Sequence, residues 1–536
     1  MEKRIFIAVV ISIVFLGLWS VVIPKMFPEL VKKPAPVVAK PVTSKPTPAP
    51  KAAVVPPAVV HAAAPVAGTT LKQSFVENPE FTAVFSNRGA ELVSFKLKQY
   101  TTSDKQPVEL VKGREPNRTD FPFALETKDQ ALLNTLNTAL YAVTERDERG
   151  VHIVDYRYSD GHITVTKTFR VGPEYQFDFS INVTPPIPYR VEIGPGIRTL
   201  AGDEQDSRFI VTGNGLAQTD GKLKVLAREK GDRVNIYDDV QFVGIEDNYF
   251  LTVLKPAKGG QAIIRRADFK EGKDVRRELY AGVNAAADGT VSGQAFFGPK
   301  QTKIVEAYGL DSTLQFGFFG FIARILLDVL IWINKTTRNY GVAIIVLTVL
   351  IKIVLYPLQH KSIVSMKKMQ KVQPKVEAIK NRYKKSRTDA EQRQKMNTEM
   401  MKLYQQEGIN PMGGCLPMVL QLPILWGFYG LLQRAIELRG APFFLWIHDL
   451  SAKDPYYITP ILMTITMFLQ QQLTPTTGDP AQRKMFLIMP LVFGWIFKEF
   501  PSGLVLYWLV QNILTIVQQL IMNKYWKDHP AELKTA

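Results

Sequence analysis

The sequence predicts a membrane protein with two modules, a bundle of six transmembrane helices and a large all-β domain outside the membrane. Apolar stretches near spanning length, roughly 20 residues, lie at the start of the chain and in its last third. In residues 71–309, short stretches alternate apolar and polar residues and are separated by turn residues, which predicts β-strands. All seven Trp residues lie outside residues 70–310, in or beside the apolar stretches. The chain therefore divides into a β module and a membrane module.

Residues 1–27 are predicted to form an N-terminal transmembrane anchor. A basic EKR start precedes a long apolar run. A cleaved signal peptide is the alternative, but the run is longer than a usual signal core and no small-x-small cleavage site follows. Residues 28–70, rich in Pro and Ala, cannot bury a core and predict an extended linker.

Residues 71–312 predict a large β-sandwich. The segment FTAVFSNRGAELVSFKLKQY alternates and turns at Asn87-Arg88-Gly89, and HITVTKTFRVGPEYQFDFSINVTPP gives two strands around a Gly-Pro turn. No phosphate loop, zinc-ligand spacing or nucleophile elbow is found. These residues therefore show no catalytic or metal-binding motif, and a sugar or peptide cleft remains an open alternative. The chain is expected not to be an enzyme and to need no metal or cofactor.

The last third predicts helices. Residues 316–335 carry Arg324 and Asp328 on one face, which favours an interfacial amphipathic helix over a spanning one. Transmembrane helix 2 follows at 339–358, a helical hairpin at 359–411, transmembrane helices 3–6 within 412–524 and a tail at 525–536. The four later apolar runs cover residues 415–433, 456–473, 485–497 and 503–522.

The predicted hairpin is strongly basic. Residues 360–411 hold thirteen Lys or Arg and five acidic residues, within a chain of net charge +17. Such a block suits the cytoplasmic surface of a membrane, anionic lipid or ribosomal RNA. Thr388 to Glu391 fits a capping box for its second helix. With six spans, both termini of the chain are then cytoplasmic.

Lys352 lies inside the apolar stretch 340–358. A Lys near the centre of a spanning helix costs about 2.5–3.5 kcal/mol on insertion scales. The cores of the other apolar stretches of this third contain no Asp or Glu. Lys352 therefore snorkels to a surface, faces water, or awaits a carboxylate from another molecule.

Polar side chains recur on the helices around this lysine. In the last helix, Tyr507, Gln511, Thr515 and Gln518 share one face, since helical residues advance about 100° each. Hydrogen bonds between helices would explain any one such group, at about 0.6 kcal/mol each. Several stripes around an unpaired lysine favour a wet, positively charged groove. The predicted groove residues are Lys352, Thr348, Gln421, Tyr507, Gln511, Thr515 and Gln518.

The chain resembles the YidC membrane-protein insertase family of Gram-negative inner membranes. The resemblance rests on FSNRGAELVSFKL at 85–97, YPL at 356–358, NPMGGCLPMVLQLPI at 410–424, ELRGAPFFLWIHDLSAKDPYYITPILM at 437–463 and FPSGLVLYWLVQN at 500–512. It implies a five-helix insertase core, an N-terminal anchor, a periplasmic β-supersandwich and a cytoplasmic hairpin. Residues 28–338 would then be periplasmic, in a multi-pass inner-membrane protein.

The resemblance also implies a function. A nascent membrane protein would be received at the hairpin, from the ribosome or from anionic lipid, without recognition of a nucleic-acid sequence. Its polar tail would enter the groove, and its apolar segment would leave along transmembrane helices 3 and 5. The implied slide residues are Leu422, Leu425, Met485, Met489 and Leu491. The Sec translocon and its accessory subunits are implied partners. The family has an arginine at the position of Lys352, so the charge is kept here and the guanidinium fork is lost.

Two other functions remain open from the residues. An anion channel or secondary transporter would use Lys352 as an anion site, although no internal repeat supports it. A periplasmic binding or scaffold protein would use the helices only as an anchor.

Overall fold

The computed structural model describes residues 64–528 except 103, 112–120, 198–212, 228–233, 272–273, 384–388, 410–415 and 474–479. The predicted anchor, most of the linker and residues 529–536 lie outside the described residues. The strands, in chain order, are β1 (Gln73–Glu77), β2 (Phe81–Ser86), β3 (Glu91–Thr101), β4 (Pro107–Glu109), β5 (Ala124–Glu126), β6 (Ala142–Glu148), β7 (Val151–Ser159), β8 (Thr164–Val171), β9 (Gln176–Thr184), β10 (Arg190–Ile193), β11 (Asn214–Thr219), β12 (Lys222–Leu226), β13 (Val234–Tyr237), β14 (Val240–Glu246), β15 (Phe250–Pro256), β16 (Ala262–Glu271), β17 (Asp274–Asn284) and β18 (Thr290–Pro299).

These strands form three antiparallel sheets. The largest has the order β12-β11-β14-β15-β18-β9-β8-β7-β6, the second β13-β16-β17-β10-β5 and the smallest β1-β2-β3-β4. The predicted turns are confirmed, with β2 and β3 joined through residues 87–90 and β8 and β9 through the Gly-Pro segment. Gly89 and Ala90 take left-handed φ angles of 67° and 50°, as a tight turn there requires.

The sheets bury a common apolar core. Strand β9 alternates buried and open positions, so one of its faces points inward. Aromatic rings join the sheets: the Phe85 and Phe169 centroids are 4.7 Å apart, and those of Phe95 and Phe297 are 5.4 Å apart. The prediction of a layered β domain is confirmed in outline, but the domain is not all β. Helix α1 (Gln130–Thr138), capped by the Asp129 side chain, lies within it.

The remaining helices follow the β domain. They are α2 (Thr302–Ala307), α3 (Gly320–Thr337), α4 (Tyr340–Arg382), α5 (Ala390–Gln406), α6 (Leu416–Arg434), α7 (Ile458–Leu473), α8 (Pro480–Phe497) and α9 (Ser502–Asp528). Helix α3 packs on α4 and α6, and α9 packs on α4 and α7. Short 3-10 turns at Asp311–Thr313 and Ile436–Leu438 interrupt the connections.

Within the described part of the chain, two helices are long and apolar enough to cross a membrane. They are Tyr340–Arg382 and the segment Ser502–Tyr525, with a shorter apolar helix at Leu487–Phe497. Helices α6, α7 and α8 lie where spans were predicted but do not meet this criterion over the residues described. The predicted count of six therefore remains a prediction.

Helix α4 differs from the predicted division at residue 358. It runs unbroken past Pro357 and Pro374 to Arg382, so the predicted spanning segment and the predicted first arm of the hairpin are one helix. The second arm, α5, is capped by Asp389, which accepts hydrogen bonds from Glu391 N (2.9 Å) and Gln392 N (3.4 Å). The cap is thus Asp389, not the Thr388 of the predicted capping box. Val372, Val376 and Ile409 form the apolar core between the arms, with Met369 and Met400 against it.

The β domain is joined to the connection after α6. Ile436 is 3% exposed and belongs to the apolar core of the β domain, although it lies far along the chain. Beside it, Glu437 Oε1 accepts a hydrogen bond from Thr302 N at 3.0 Å. Arg324 of α3 pairs with Glu306 of α2 rather than with Asp328. Further links are Asn248 Nδ2 to Gln433 O (2.9 Å) and Arg439 Nη1 to Thr101 O (3.0 Å).

A buried lysine holds two loops of the β domain together. The Lys167 side chain is fully buried, and its ammonium donates to Gly89 O at 2.6 Å and Phe123 O at 2.8 Å. Burial lowers the pKa of Lys167 to about 8, against which the nearby Glu91 raises it.

This burial predicts a pH-dependent stability. The folded pKa of Lys167, about 8, lies below its ordinary value of 10.5, so the unfolded chain binds more protons between these values. Stability therefore rises with pH in that window. Relative to Lys167→Met, the wild type should gain about 2 kcal/mol of unfolding free energy between pH 8 and pH 10. Urea unfolding of the detergent-solubilised protein, followed by the strand signal in circular dichroism, measures this. Equal pH responses of the two proteins would contradict it.

Candidate functional site

Helix α4 places Lys352 on its buried face. Asn339 starts the helix by accepting a hydrogen bond from Val342 N at 3.0 Å. Ile344, Thr348 and Lys352 then follow at four-residue spacing, which keeps them on one side of the helix. Sequence periodicity thus brings an ionisable group to a position where an apolar residue would ordinarily pack.

Lys352 contacts a hydroxyl rather than a carboxylate. Its residue is 8% exposed, and Nζ donates to Thr515 Oγ1 of α9 at 2.9 Å. The Thr515 hydroxyl in turn donates to Gln511 O at 2.7 Å. A lone pair of Thr515 Oγ1 therefore accepts the hydrogen bond from the Lys352 ammonium. Among the described residues no acidic group lies within ion-pair distance of Lys352. An ammonium has three donors, so this site can still bind an acceptor.

A chain of polar contacts joins α6 and α9 beside the lysine. Gln421 Nε2 donates to Tyr507 OH at 3.3 Å, and Gln511 Nε2 donates to Gln421 Oε1 at 3.4 Å. Three predicted groove residues, Tyr507, Gln421 and Gln511, are therefore linked in series, and Gln511 O joins them to the Lys352–Thr515 contact. Both contacts are longer than a typical hydrogen bond and are therefore weak.

One end of the site is closed by apolar packing, which we call the apolar seal. Tyr507 is fully buried and stacks on Phe428 with ring centroids 4.9 Å apart. Thr348 is also fully buried, and its hydroxyl donates to Ile344 O of its own helix at 2.7 Å. Both residues thus lie at the sealed end rather than on an open polar wall. The seal comprises Ile344, Leu347, Phe428, Leu504 and Tyr507.

Toward the other end the site continues as buried amides, which we call the amide row: Gln511, Gln518 and Gln359. All three residues are less than 9% exposed, yet each has a buried amide atom without a hydrogen-bond partner among the described residues. Gln359 and Gln518 lie between the Lys352–Thr515 contact and the place where Met522 packs on α4. A buried polar atom without a partner costs about 1–3 kcal/mol. The row is therefore suited to receiving polar groups.

Two buried polar residues of this region, Gln359 and Asn512, are not among those predicted from the sequence. Gln359 lies seven residues after Lys352, on the same face of α4, a spacing that would have identified it if the helix had not been ended at residue 358. Asn512 is 5% exposed and donates to Thr466 Oγ1 at 3.2 Å. This contact ties α9 to α7, and the hydroxyls of Thr464 and Thr466 donate to carbonyls of α7 itself.

The predicted slide residues lie on α6 and α8. Leu422 is 43% exposed and Leu491 is 62% exposed, while Leu425 and Met489 are half-buried. The side chain of Met485 lies outside the described residues. Exposed leucines on two apolar helices can contact lipid or a passing apolar segment without further rearrangement.

No cluster of three or more His, Cys, Asp or Glu suited to a metal ion is found in the part of the chain that the structure describes.

Comparison with known proteins identifies the family. The family described as the YidC periplasmic domain matches residues 74–329, and that described as 60Kd inner membrane protein matches residues 332–529. The membrane protein insertase YidC of Geobacter metallireducens is 37% identical over 547 residues, 98% of each chain. That of Geotalea daltonii is 37% identical over 546 residues, 98% of this chain and 99% of the other.

Among solved structures, a crystal structure of an active YidC insertase with its first transmembrane domain resolved covers 85% of this chain and 94% of its own, at 19% identity and a TM-score of 0.37. The sequence matches extend over both modules, the β domain and the helices that surround Lys352. The chain therefore belongs to the YidC family of inner-membrane protein insertases.

Proposed function

We propose that the chain moves nascent membrane proteins into the inner membrane through a hydrophilic groove that is open to lipid and centred on Lys352. Insertion is a non-enzymatic function and requires no covalent step. The supporting observation is the placement of a cation, without a carboxylate partner among the described residues, next to the amide row.

The energetics explain why a polar site is useful there. A strongly apolar segment gains about 0.3–0.6 kcal/mol per residue on entering a bilayer, whereas each Asp or Glu in its tail costs a few kcal/mol to carry through hydrocarbon. The segment therefore drives insertion, and the tail sets the barrier. Lys352 and the amide row would replace water around an acidic tail while it crosses. In this role Lys352 attracts charge and performs no chemistry on the substrate.

The direction of entry follows from the two ends of the site. The apolar seal, with Tyr507 stacked on Phe428, closes the end near the start of α4. The amide row leads toward the basic hairpin formed by the second half of α4 and by α5. We infer that substrate enters from the hairpin side, the cytoplasm, and that its apolar segment leaves between α6 and α8, past Leu422 and Leu491.

The hairpin would make the first contact with the substrate complex. Ion pairs within the described part of the hairpin include Lys375 with Glu407, Arg382 with Glu399, and Lys395 with Glu391. The exposed Lys371, Lys380 and Lys402 form no ion pair among the described residues. These are the groups we propose for contact with ribosome or anionic lipid.

The proposed topology has six spans, cytoplasmic termini and residues 28–338 in the periplasm. The Sec translocon and its accessory subunits are the proposed partners. The basic hairpin on one side and the apolar seal near the other are consistent with this orientation.

We predict that charge at position 352 controls the insertion of acidic tails. Lys352→Met should slow insertion of a small protein with an acidic N-terminal tail about fivefold, since loss of about 1 kcal/mol of attraction has that effect. Lys352→Arg should insert it at nearly the wild-type rate. The measurement is protease protection of the substrate in proteoliposomes.

Two controls separate charge from structure. A substrate with a neutral tail should insert equally well with Lys352→Met, and Thr515→Val, which keeps the cation, should retain insertion. Equal insertion of the acidic tail by Lys352→Met and the wild type would contradict the groove. Anion flux through the proteoliposomes that Lys352→Met abolishes would favour a channel instead.

Substrate contact can be located directly. A photo-crosslinking residue at Gln421, Gln511 or Met489 should link to a ribosome-bound nascent chain, because these positions line the proposed path. Ile461 of α7, 55% exposed and outside that path, is the matched control. Crosslinks from Ile461 as strong as those from Gln511 would count against the proposed route.

A further inference from the structure

The connection between α6 and α7 contains a tightly closed loop at residues 443–447. Phe443 N donates to Ile447 O at 2.9 Å, and Ile447 N donates to Phe444 O at 3.1 Å. Outside the loop, Leu450 N donates to Ala441 O at 3.0 Å and continues the pairing. The loop is therefore a hydrogen-bonded hairpin with a defined tip.

The base of this loop is fixed to the start of α4. The Phe443 ring lies so close to Gly341 that a Cβ built on the glycine would be 2.0 Å from the ring. Asn339 Nδ2 donates to Phe443 O at 3.1 Å, and Ile447 is 4% exposed. These contacts leave the loop little freedom to fold its tip inward.

The tip is apolar and exposed. Phe444 is 58% exposed and Leu445 is 80% exposed, although both neighbours in the loop, Phe443 and Trp446, are partly covered. Leu445 has a φ angle of 55°, a left-handed conformation that a residue with a Cβ rarely adopts. The strained backbone costs free energy in any solvent, whereas the exposed leucine is unfavourable specifically in water.

Other side chains indicate what covers the tip. Tyr456, 66% exposed, lies just before α7, and Trp495, 70% exposed, lies near the end of α8. Because α7 and α8 form an antiparallel pair, these two aromatic residues are at the same end of the helices. Lys498 Nζ lies 3.4 Å above the Trp495 ring. Exposed Tyr, Trp and Lys at helix ends are typical of the membrane–water interface.

We propose that residues 443–447 form a rigid wedge whose tip, Phe444 and Leu445, inserts among the lipids of the periplasmic leaflet. This proposal depends on the proposed placement of α7 and α8 across the membrane. It adds a lipid contact to the insertion path. Since Phe443 packs on Gly341, the wedge also holds the start of α4, and with it Lys352, at a fixed depth.

The test measures depth in the bilayer with the full-length chain. Leu445→Cys, made in a Cys415→Ala background, is labelled with an environment-sensitive fluorophore and reconstituted into phosphatidylethanolamine–phosphatidylglycerol vesicles. Spin-labelled lipids should quench the probe, more strongly when the spin label is near the headgroup than when it is deep, at an expected depth of about 5–10 Å. Phe444→Cys should behave in the same way, which guards against a local defect of one variant.

Two control positions make the result decisive. Lys453→Cys, in the same connection but with a polar side chain 47% exposed, should be quenched much less. Leu462→Cys, 44% exposed within α7, should be quenched by the deep label. Quenching at 445 no greater than at 453, with 462 quenched, would overturn the wedge alone. No quenching at 462 would overturn the spanning arrangement and the wedge together. If the fluorescence at position 445 changes with the protein density in the vesicles and not with the spin label, a second copy of the chain covers the tip. That result would also overturn the proposal.

Discussion

The burial of a cation, Lys352, without a carboxylate partner among the described residues is the constraint around which we interpret the rest of the membrane module. A buried ammonium that meets only a hydroxyl is costly, because one hydrogen bond does not replace its hydration. The neighbouring helices carry further polar groups along the same side: Gln421 and Gln511, which contact each other, and Gln518 two turns beyond Gln511. In a bundle packed only with apolar side chains, such polar groups would be buried without partners, at a cost in free energy. A buried cation with one hydroxyl partner, beside buried amide atoms without partners among the described residues, distinguishes this site from ordinary hydrogen bonding between helices.

The two modules meet at the end of one helix of the site. Ile436 follows α6 and inserts into the β-domain core, and Glu437 accepts a hydrogen bond from Thr302. Because α6 also carries Gln421 and Leu422, the β domain fixes one end of a helix that substrate is proposed to pass. Removal of the β domain would expose Ile436 to water. The domain therefore positions the connection between α6 and α7, whose tip we propose to reach the lipid.

Helical periodicity predicted that Gln511 and Thr515 share one face of the last helix, and Thr515 does contact Lys352 while Gln511 contacts Gln421. That these residues form a substrate groove stays a prediction. Prediction from the sequence failed where a proline was expected to end a helix and did not. The sequence ended helix α4 near Pro357, but the helix continues, and Gln359 was missed as a result. Periodicity also says nothing of contacts between distant segments, so Ile436 in the β-domain core and the Lys167 bridge between loops were not foreseen. The strands were predictable from alternation, whereas α1 was not.

The most direct test of this account combines water access with charge at position 352. In a Cys415→Ala background, Lys352→Cys is treated from the cytoplasmic side with thiol reagents of similar size, one a quaternary ammonium and one a sulfonate. Leu347→Cys, in the apolar seal and 3% exposed, is the matched control. The account predicts that position 352 reacts much faster than position 347, and that only the cationic reagent restores insertion of acidic tails. No reaction at 352, or equal restoration by both reagents, would contradict it.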